Sequence, residues 1–228
     1  FDVITKWYTY ENLTFDKMQN GKVIAGKSKI YGGYKGSETA LQNYNRLKAS
    51  PSLNLPNLNL LDGTRDFSGN WSSIWATDGT YKGLTVKKRT AKWSGLYKTF
   101  TVPKDCTYTF SAYVKSSGSS ANAIRVGMVN GTSKPAVQIG NNFDWIRDAV
   151  TLNLKANDKV VVRYEISGDG TDSILWTAGH KWEQGSIATP WMPSASEIKT
   201  NDISEYFGYN YIANQAYTYY GETNIDRL

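Results

Sequence analysis

Thr107-Tyr-Thr-Phe-Ser-Ala-Tyr-Val-Lys115 puts Tyr108, Phe110, Ala112 and Val114 on one side and Thr107, Thr109, Ser111, Tyr113 and Lys115 on the other. A period of two is the mark of a strand with one face buried. The same alternation recurs further along. Val160, Val162, Tyr164 and Ile166 oppose Val161, Arg163 and Glu165, and Val150, Leu152 and Leu154 oppose Thr151 and Asn153. Further strands are read at Leu84–Lys88, Leu96–Val102, Ile124–Val129, Val137–Ile139 and Ile174–Glu183, with turn-like breaks at Asp78-Gly79, Asn130-Gly131 and Gly168-Asp169-Gly170. Many short strands at this spacing predict an all-β, two-sheet antiparallel sandwich. One apolar and one polar face per strand predicts sheets packed on one side only.

Outside this region the pattern changes. Residues 1–50 predict a small mixed segment, with strands at Val3–Tyr10 and Lys22–Ile30 divided by an Asn20-Gly21 turn, and a helix over Ser37–Ala49 capped by Ser37. Residues 51–58 hold Pro51 and Pro56, which discourage helix and central strand, and are read as a linker. The strand-rich module then occupies 59–193. Residues 194–228 form a tail that ends Tyr-rich, as in Tyr206-Phe-Gly-Tyr-Asn-Tyr211. This tail reads equally as a packing arm, an oligomerisation segment or the edge of another module.

Composition removes several classes. The chain has 228 residues, 40% hydrophobic and 20% charged, which is enough apolar side chain to build a core and too little charge for a disordered polymer. No run approaches the roughly 18 apolar residues of a spanning helix, so membrane insertion is not expected. The opening Phe-Asp-Val-Ile-Thr-Lys does not read as a secretion signal. A single cysteine, Cys106, rules out an intrachain disulfide, and a single histidine, His180, leaves little for a zinc or copper site. The net charge of +6 is uneven: residues 1–100 carry 15 Lys/Arg against 7 Asp/Glu, while residues 151–228 carry 6 against 10. A basic front suits anionic polymers such as nucleic acid or teichoic acid, and equally an ordinary solvated surface. With no basic arm, recognition helix or RNA-reading motif, nucleic acid is not an expected partner.

Catalysis finds little support. Asp144, Asp148, Asp169 and Asp172 fall in expected loops, where carboxylates usually bond their own backbone. No Gly-x-Ser-x-Gly elbow accompanies His180, which alternates with Trp176, Ala178 and Trp182 on an expected strand and reads as a packing residue. The chain is therefore not expected to be an enzyme. Binding is better supported, because sugars offer C–H faces that stack on aromatic rings and hydroxyls that need planar polar partners. Trp71, Trp75, Trp93 and Trp145 lie among Ser, Asn, Asp and Gly and read either as ligand platforms or as loop anchors. Trp176, Trp182 and Trp191 read as packing. The alternation places Tyr97, Tyr113, Arg125, Arg163 and Glu165 on one sheet face as polar partners, the competing reading being a solvated face with weak Arg–Glu pairs.

Three blocks carry a resemblance: Asn59-Leu-Leu-Asp-Gly-Thr-Arg-Asp-Phe-Ser-Gly-Asn-Trp71; Gly95-Leu-Tyr-Lys-Thr-Phe-Thr-Val102 with Thr107–Ser116; and Leu175-Trp-Thr-Ala-Gly-His-Lys-Trp-Glu-Gln-Gly-Ser-Ile-Ala-Thr-Pro-Trp-Met-Pro193. Together they resemble the jelly-roll carbohydrate-binding modules of tail and baseplate proteins of phages infecting lactic acid bacteria and other Gram-positive hosts. The resemblance implies a noncatalytic virion component that adheres to bacterial cell-wall saccharide, with other tail and baseplate proteins as partners. It also implies that Phe67, Phe110, Trp176, Trp182 and Trp191 are packing positions. The chain departs from the family pattern at His180, where Pro is common, and at Trp182, where Leu is. No cofactor is implied, though related sandwiches hold a structural Ca²⁺ to which Asp62, Asp66 and Glu183 would contribute. The alternatives are a structural spacer without glycan binding, and a wall-degrading enzyme carrying the module as an accessory, for which the flanks are short.

Overall fold

The strand holding Thr107–Lys115 is longer than its alternation suggests and is covered on both sides. In a computed structural model, which describes residues 14–19, 22–29, 38–49, 55–168, 172–199 and 202–203, it runs Cys106–Ser117 and is buried continuously from Tyr108 to Val114. The chain divides into two compact units, residues 1–56 with 195–228, and residues 57–194.

In the first unit, β1 (Thr14–Gln19) pairs antiparallel with β2 (Lys22–Lys29) across residues 20–21. The Asn20-Gly21 turn signal therefore joins β2 to the segment just before it; the expected strand Val3–Tyr10 lies outside the described residues. Helix α1 (Ala40–Lys48) starts at Thr39, not Ser37. The reason is a reciprocal cap: the Gln42 backbone N–H donates to Thr39 Oγ1 at 3.2 Å, and the Thr39 N–H donates to Gln42 Oε1 at 2.8 Å. The helix buries Tyr44 and Leu47, and the Tyr44 hydroxyl donates to the Pro56 carbonyl at 2.6 Å.

The second unit is an all-β jelly-roll sandwich. Its strands are β3 (Ala76–Tyr81), β4 (Leu84–Arg89), β5 (Phe100–Thr101), β6 (Cys106–Ser117), β7 (Ala123–Val129), β8 (Thr132–Ser133), β9 (Val137–Gly140), β10 (Phe143–Leu154), β11 (Lys159–Ile166) and β12 (Ile174–Gln184). One sheet has the order β10-β6-β12-β4-β3; the other has β5-β11-β7-β8, with β9 also on β7. The long strands β6, β7, β10, β11 and β12 alternate between the two layers, so each connection crosses the sandwich. Between the layers lie Phe100, Tyr108, Phe110, Val160, Val162, Tyr164, Leu175 and Trp182, with Phe100 stacked on Trp182 at 4.8 Å. Of the expected strands, Leu96–Val102 shrinks to β5, because residues 94–97 run as irregular chain tied to residues 72–75.

Three irregularities in the first sheet shift side chains from one face to the other. On β12, Gly179 and His180 both oppose Ala112, because Ala178 pairs with Tyr113 and Lys181 with Ser111. On β10, Asp144 and Trp145 share one place opposite Lys115. On β3, Asp78 and Gly79 share one place opposite Val86. Asp78-Gly79 is thus a bulge rather than the expected turn, which instead falls at Lys82-Gly83, both at positive φ. Bulges of this kind swap the inward and outward sets of a strand and bend it.

Gly179 adopts φ +59°, and a Cβ there would meet Leu84 Cδ1 at 2.6 Å. Left-handed backbone costs a non-glycine residue about 1–2 kcal/mol before any clash. Gly179→Ala is expected to destabilise the sandwich by about 2 kcal/mol or more, lowering its melting temperature by several degrees; thermal unfolding of the variant, followed by near-UV circular dichroism, measures this.

Candidate functional site

The bulge at Gly179 splits β12. Before it, Trp176 and Ala178 point away from the other layer; after it, His180 and Trp182 point between the layers. On the outward side, Trp176 and Ala178 join Leu84 and Val86 of β4, Tyr81 of β3, Tyr113 of β6 and Trp145 of β10, with Trp191 from the C-terminal strap. Tyr81 and Trp145 stack at 4.3 Å with planes 14° apart, and Tyr113 meets Tyr81 edge-on at 5.2 Å. Tyr113 is buried; Tyr81, Trp145, Trp176 and Trp191 are half-buried.

Polar groups fix these rings. The Trp176 indole N–H donates to Asp78 Oδ2 at 2.6 Å, and this bond holds the Asp78 carboxyl below the usual carboxylate range. The Asp144 carboxylate accepts from the Trp145 backbone N–H at 2.8 Å and pairs with Lys115 Nζ at 3.2 Å, and its pKa is lowered first by that backbone bond. Lys115 also lies over the Trp176 ring at 5.8 Å. Two of the three bulges therefore supply the carboxylates that hold this cluster.

The opposite end of the same face is closed. Lys181 and Glu183 are fully buried 3.4 Å apart, and Thr189 bridges them: its hydroxyl donates to Glu183 Oε2 at 2.5 Å and accepts from Lys181 Nζ at 2.7 Å. Lys181 also donates to the Pro190 carbonyl, and Arg147 Nη2 donates to Ser111 Oγ and the Thr189 carbonyl. Arg147 links this strap, 187–191, to Ser111 of β6, while the Thr109 hydroxyl donates to the Gly185 carbonyl just before it. The expectation of a sheet with one open polar face fails here, because those hydroxyls are consumed by tertiary hydrogen bonds.

The five residues expected on one face occupy three places. Tyr113 lies in the aromatic cluster just described. Arg125 points between the layers, where Nη1 contacts both Asp148 carboxylate oxygens at 2.6 Å and the Ala149 carbonyl at 3.0 Å. Tyr164 donates to the same carboxylate at 2.9 Å, and burial pushes its phenol well above its usual range. Arg125 thus joins β7 in one sheet to β10 in the other. Tyr97, Arg163 and Glu165 lie on the outer side of the second sheet. There Arg163 Nε donates to Glu165 Oε1 at 2.6 Å, the Gly95 backbone N–H donates to the same oxygen at 3.3 Å, and the guanidinium sits 5.6 Å from the Tyr97 ring. Glu165 is only 6% exposed.

The tryptophans also divide differently. Trp75 is core, 3% exposed, its N–H donating to the Ser94 carbonyl. Trp71 leans on Phe67 at 4.8 Å and His180 at 5.5 Å. Trp93 is 48% exposed at φ +57° on a loop that bonds the end of β11. Trp145 belongs to the outward cluster. Trp182 packs as expected, but Trp176 and Trp191 line the outward face. The signal for this exchange was Gly179, a glycine inside an alternating strand, which marks a bulge.

Two of the residues named for Ca²⁺ already have partners. Asp66 accepts from the Ser68 backbone N–H, Glu183 is consumed by Thr189, Asn57 and Lys181, and among the described residues no three acidic, His or Cys side chains gather around one point.

Residues 6–178 match the family described as Dit, C-terminal domain. The chain belongs to that family. Within it, a stretch of 50 residues is 70% identical to the distal tail protein of Lactococcus phage p2, covering 22% of this chain and 15% of that protein. A stretch of 33 residues is 85% identical to the distal tail protein of Lactococcus phage SK1, covering 14% of this chain and 11% of that protein. Among solved structures, the tripod from the baseplate of bacteriophage Tuc2009 aligns at 22% identity and TM-score 0.40 over 64% of this chain and 62% of that one. The CBM22-1 xylan-binding domain of Paenibacillus barcinonensis Xyn10C aligns at 15% identity and TM-score 0.42 over 59% of this chain and all of that one. As a Dit-family chain, the protein is a component of the phage virion, in the distal tail; the chain spans less than a fifth of the length of the curated relatives it matches.

His180 in this family member is 1% exposed, ringed by Phe67, Trp71, Phe110 and Tyr164, with Nε2 2.9 Å from Thr177 Oγ1. Burial lowers its pKa from 6.5 to about 3. Because the unfolded chain binds this proton more readily, the stability held by neutral His180 is complete above about pH 6.5 and is lost as the pH falls towards 3. By pH 5 the loss is about 2 kcal/mol. His180→Gln, which lacks the titration, is expected to flatten the stability–pH curve between pH 4 and 6.5; urea unfolding of both proteins across that range compares the slopes.

Proposed function

We propose that this Dit-family chain is a noncatalytic carbohydrate-binding component of the tail that adheres to host cell-wall saccharide through the outward face of the β10-β6-β12-β4-β3 sheet. The observation that carries the proposal is the ring cluster Tyr81, Tyr113, Trp145 and Trp176, set on rigid strands and fixed by Asp78 and Asp144. In a folded domain, half-buried indoles on the side of a sheet away from the core do little for cohesion between the layers. They offer flat apolar area beside carboxylates and ammonium groups, which is what a pyranose with one C–H face and several hydroxyls requires. Rings held by packing and hydrogen bonds lose little further entropy on binding.

Of the residues proposed from sequence, Tyr113 and Trp145 belong to this site. Trp176 and Tyr81 join them, and Trp93 lies on a separate loop. Residues 1–56 with 195–228 are proposed to attach the module to other tail proteins. Repetition in the tail would let weak single sites act together.

Labelled protein is expected to bind host cells and purified host wall polysaccharide. Trp145→Ala and Trp176→Ala are each expected to weaken binding about tenfold, the loss of one stacked ring, while circular dichroism shows the sandwich retained. Trp93→Ala is expected to bind normally, and loss in Trp93→Ala alone would move the site to the loop. Absence of binding by folded protein to any wall fraction would favour a spacer role, and release of reducing ends would favour an enzyme.

A further inference from the structure

The outward face does not balance its charge. Lys88 pairs with Asp78 at 3.5 Å, Lys115 with Asp144 at 3.2 Å, and Lys181 with Glu183 at 3.4 Å. Two cations are left over: among the described residues, neither Lys82 nor Arg147 has a carboxylate partner. Both address the same ring, Lys82 Nζ at 5.2 Å and Arg147 Cζ at 4.7 Å from the centre of Tyr113. Two like charges are therefore separated by no more than the sum of those distances. That is within about one Debye length at moderate salt, so an anion beside Tyr113 would feel both charges.

Arg147 is unsatisfied in a second sense. Its Nη2 is engaged by Ser111 and Thr189, but Nε and Nη1 lie beneath the surface with no hydrogen-bond partner. Buried guanidinium donors without acceptors are costly, and turning them towards a ligand breaks none of their existing bonds. The surrounding sequence adds charge of the same sign: residues 79–104 hold Lys82, Lys87, Lys88, Arg89, Lys92, Lys98 and Lys104 and no Asp or Glu. This run contains β4 and the Lys82-Gly83 turn at one edge of the aromatic face.

We propose that the saccharide taken by this face is anionic, and that a phosphate or carboxylate on it sits between Lys82 and Arg147 while adjoining sugar rings stack on Tyr81, Trp145 and Trp176. An anion there gains two attractions and supplies acceptors for the unmet guanidinium donors. The inference rests on the carbohydrate-binding reading above and sharpens it to a ligand class.

The test uses the full chain and purified host wall polysaccharide in three forms: untreated, stripped of phosphate with hydrofluoric acid, and with carboxylates reduced through carbodiimide and borohydride. Inorganic polyphosphate is the sugar-free control. Binding to untreated polysaccharide is expected to weaken about tenfold after one of the two treatments, which identifies the anion. Lys82→Gln, an exposed turn substitution that leaves the fold intact, is expected to cost about threefold at low salt, with the difference gone at about 0.5 M NaCl. Equal binding to all three polysaccharide forms overturns the anionic ligand and leaves the carbohydrate reading standing. Failure of every form to bind overturns both. Polyphosphate binding as tight as that of the untreated polysaccharide also overturns the proposal, since charge without the ring platform would then suffice.

Discussion

One left-handed glycine decides which side of the sheet each half of β12 serves. With Gly179 at φ +59°, two residues stand opposite Ala112, and the side-chain parity reverses. Without that reversal Trp176 and Trp182 would share a face. Either Trp182 would leave its stack on Phe100, opening a large hole in the core, or Trp176 would be buried beside it in space already filled by Phe110 and Leu175. The bulge also turns His180 inward against four aromatic rings and leaves room outside for Leu84, Tyr113 and Trp191 to close over the glycine. The core and the outward aromatic cluster are thus two consequences of one backbone irregularity.

How much of this could be read from the sequence follows from the same feature. Strict alternation located β6, β11 and the ends of β10 and β12, because a buried face imposes a period of two wherever pairing is regular. It failed where pairing slips. Trp176 lies before the β12 bulge, so counting along the strand from Trp182 assigns the wrong parity. Arg125 shows a different limit. Its neighbours Ile124 and Val126 are also apolar, so β7 carries no clear alternation, and nothing in the sequence announces that Asp148 waits for it across the sandwich. Glu165 and Arg163 lie on an outward side. They belong to the other sheet, however, a distinction that depends on strand order rather than strand pattern. Helix α1 began two residues late because Thr39 and Gln42 form the reciprocal cap that Ser37 cannot make with Ala40.

The strap 187–191 sets the extent of the open face. Burying Lys181 and Glu183 together carries a large desolvation penalty, offset only when every remaining donor and acceptor is matched. Thr189 provides that match by donating to one partner and accepting from the other, while Asn57 and the Pro190 carbonyl take up further positions. An ion pair of this kind adds little net stability over an apolar pair, but it tolerates few alternative arrangements. It therefore fixes where the strap lies, and hence where covered sheet ends and aromatic surface begins.

Arg147 stands on that boundary, and its position explains why its charge is left unmatched. It reaches under the strap with Nη2 to hold the Thr189 carbonyl and lies over Tyr113 at 4.7 Å with the rest of its guanidinium. A carboxylate on β6 at Ser111 or Tyr113 would neutralise it, but either would break what surrounds it. At Ser111 it would crowd the Lys181–Glu183–Thr189 network with a second acid; at Tyr113 it would remove the ring that joins Leu84 and Ala178 to Tyr81. The fold thus tolerates a partly buried, half-bonded cation because the neighbouring positions are already committed to the strap and the ring cluster, and this same constraint leaves a positive group beside an aromatic platform.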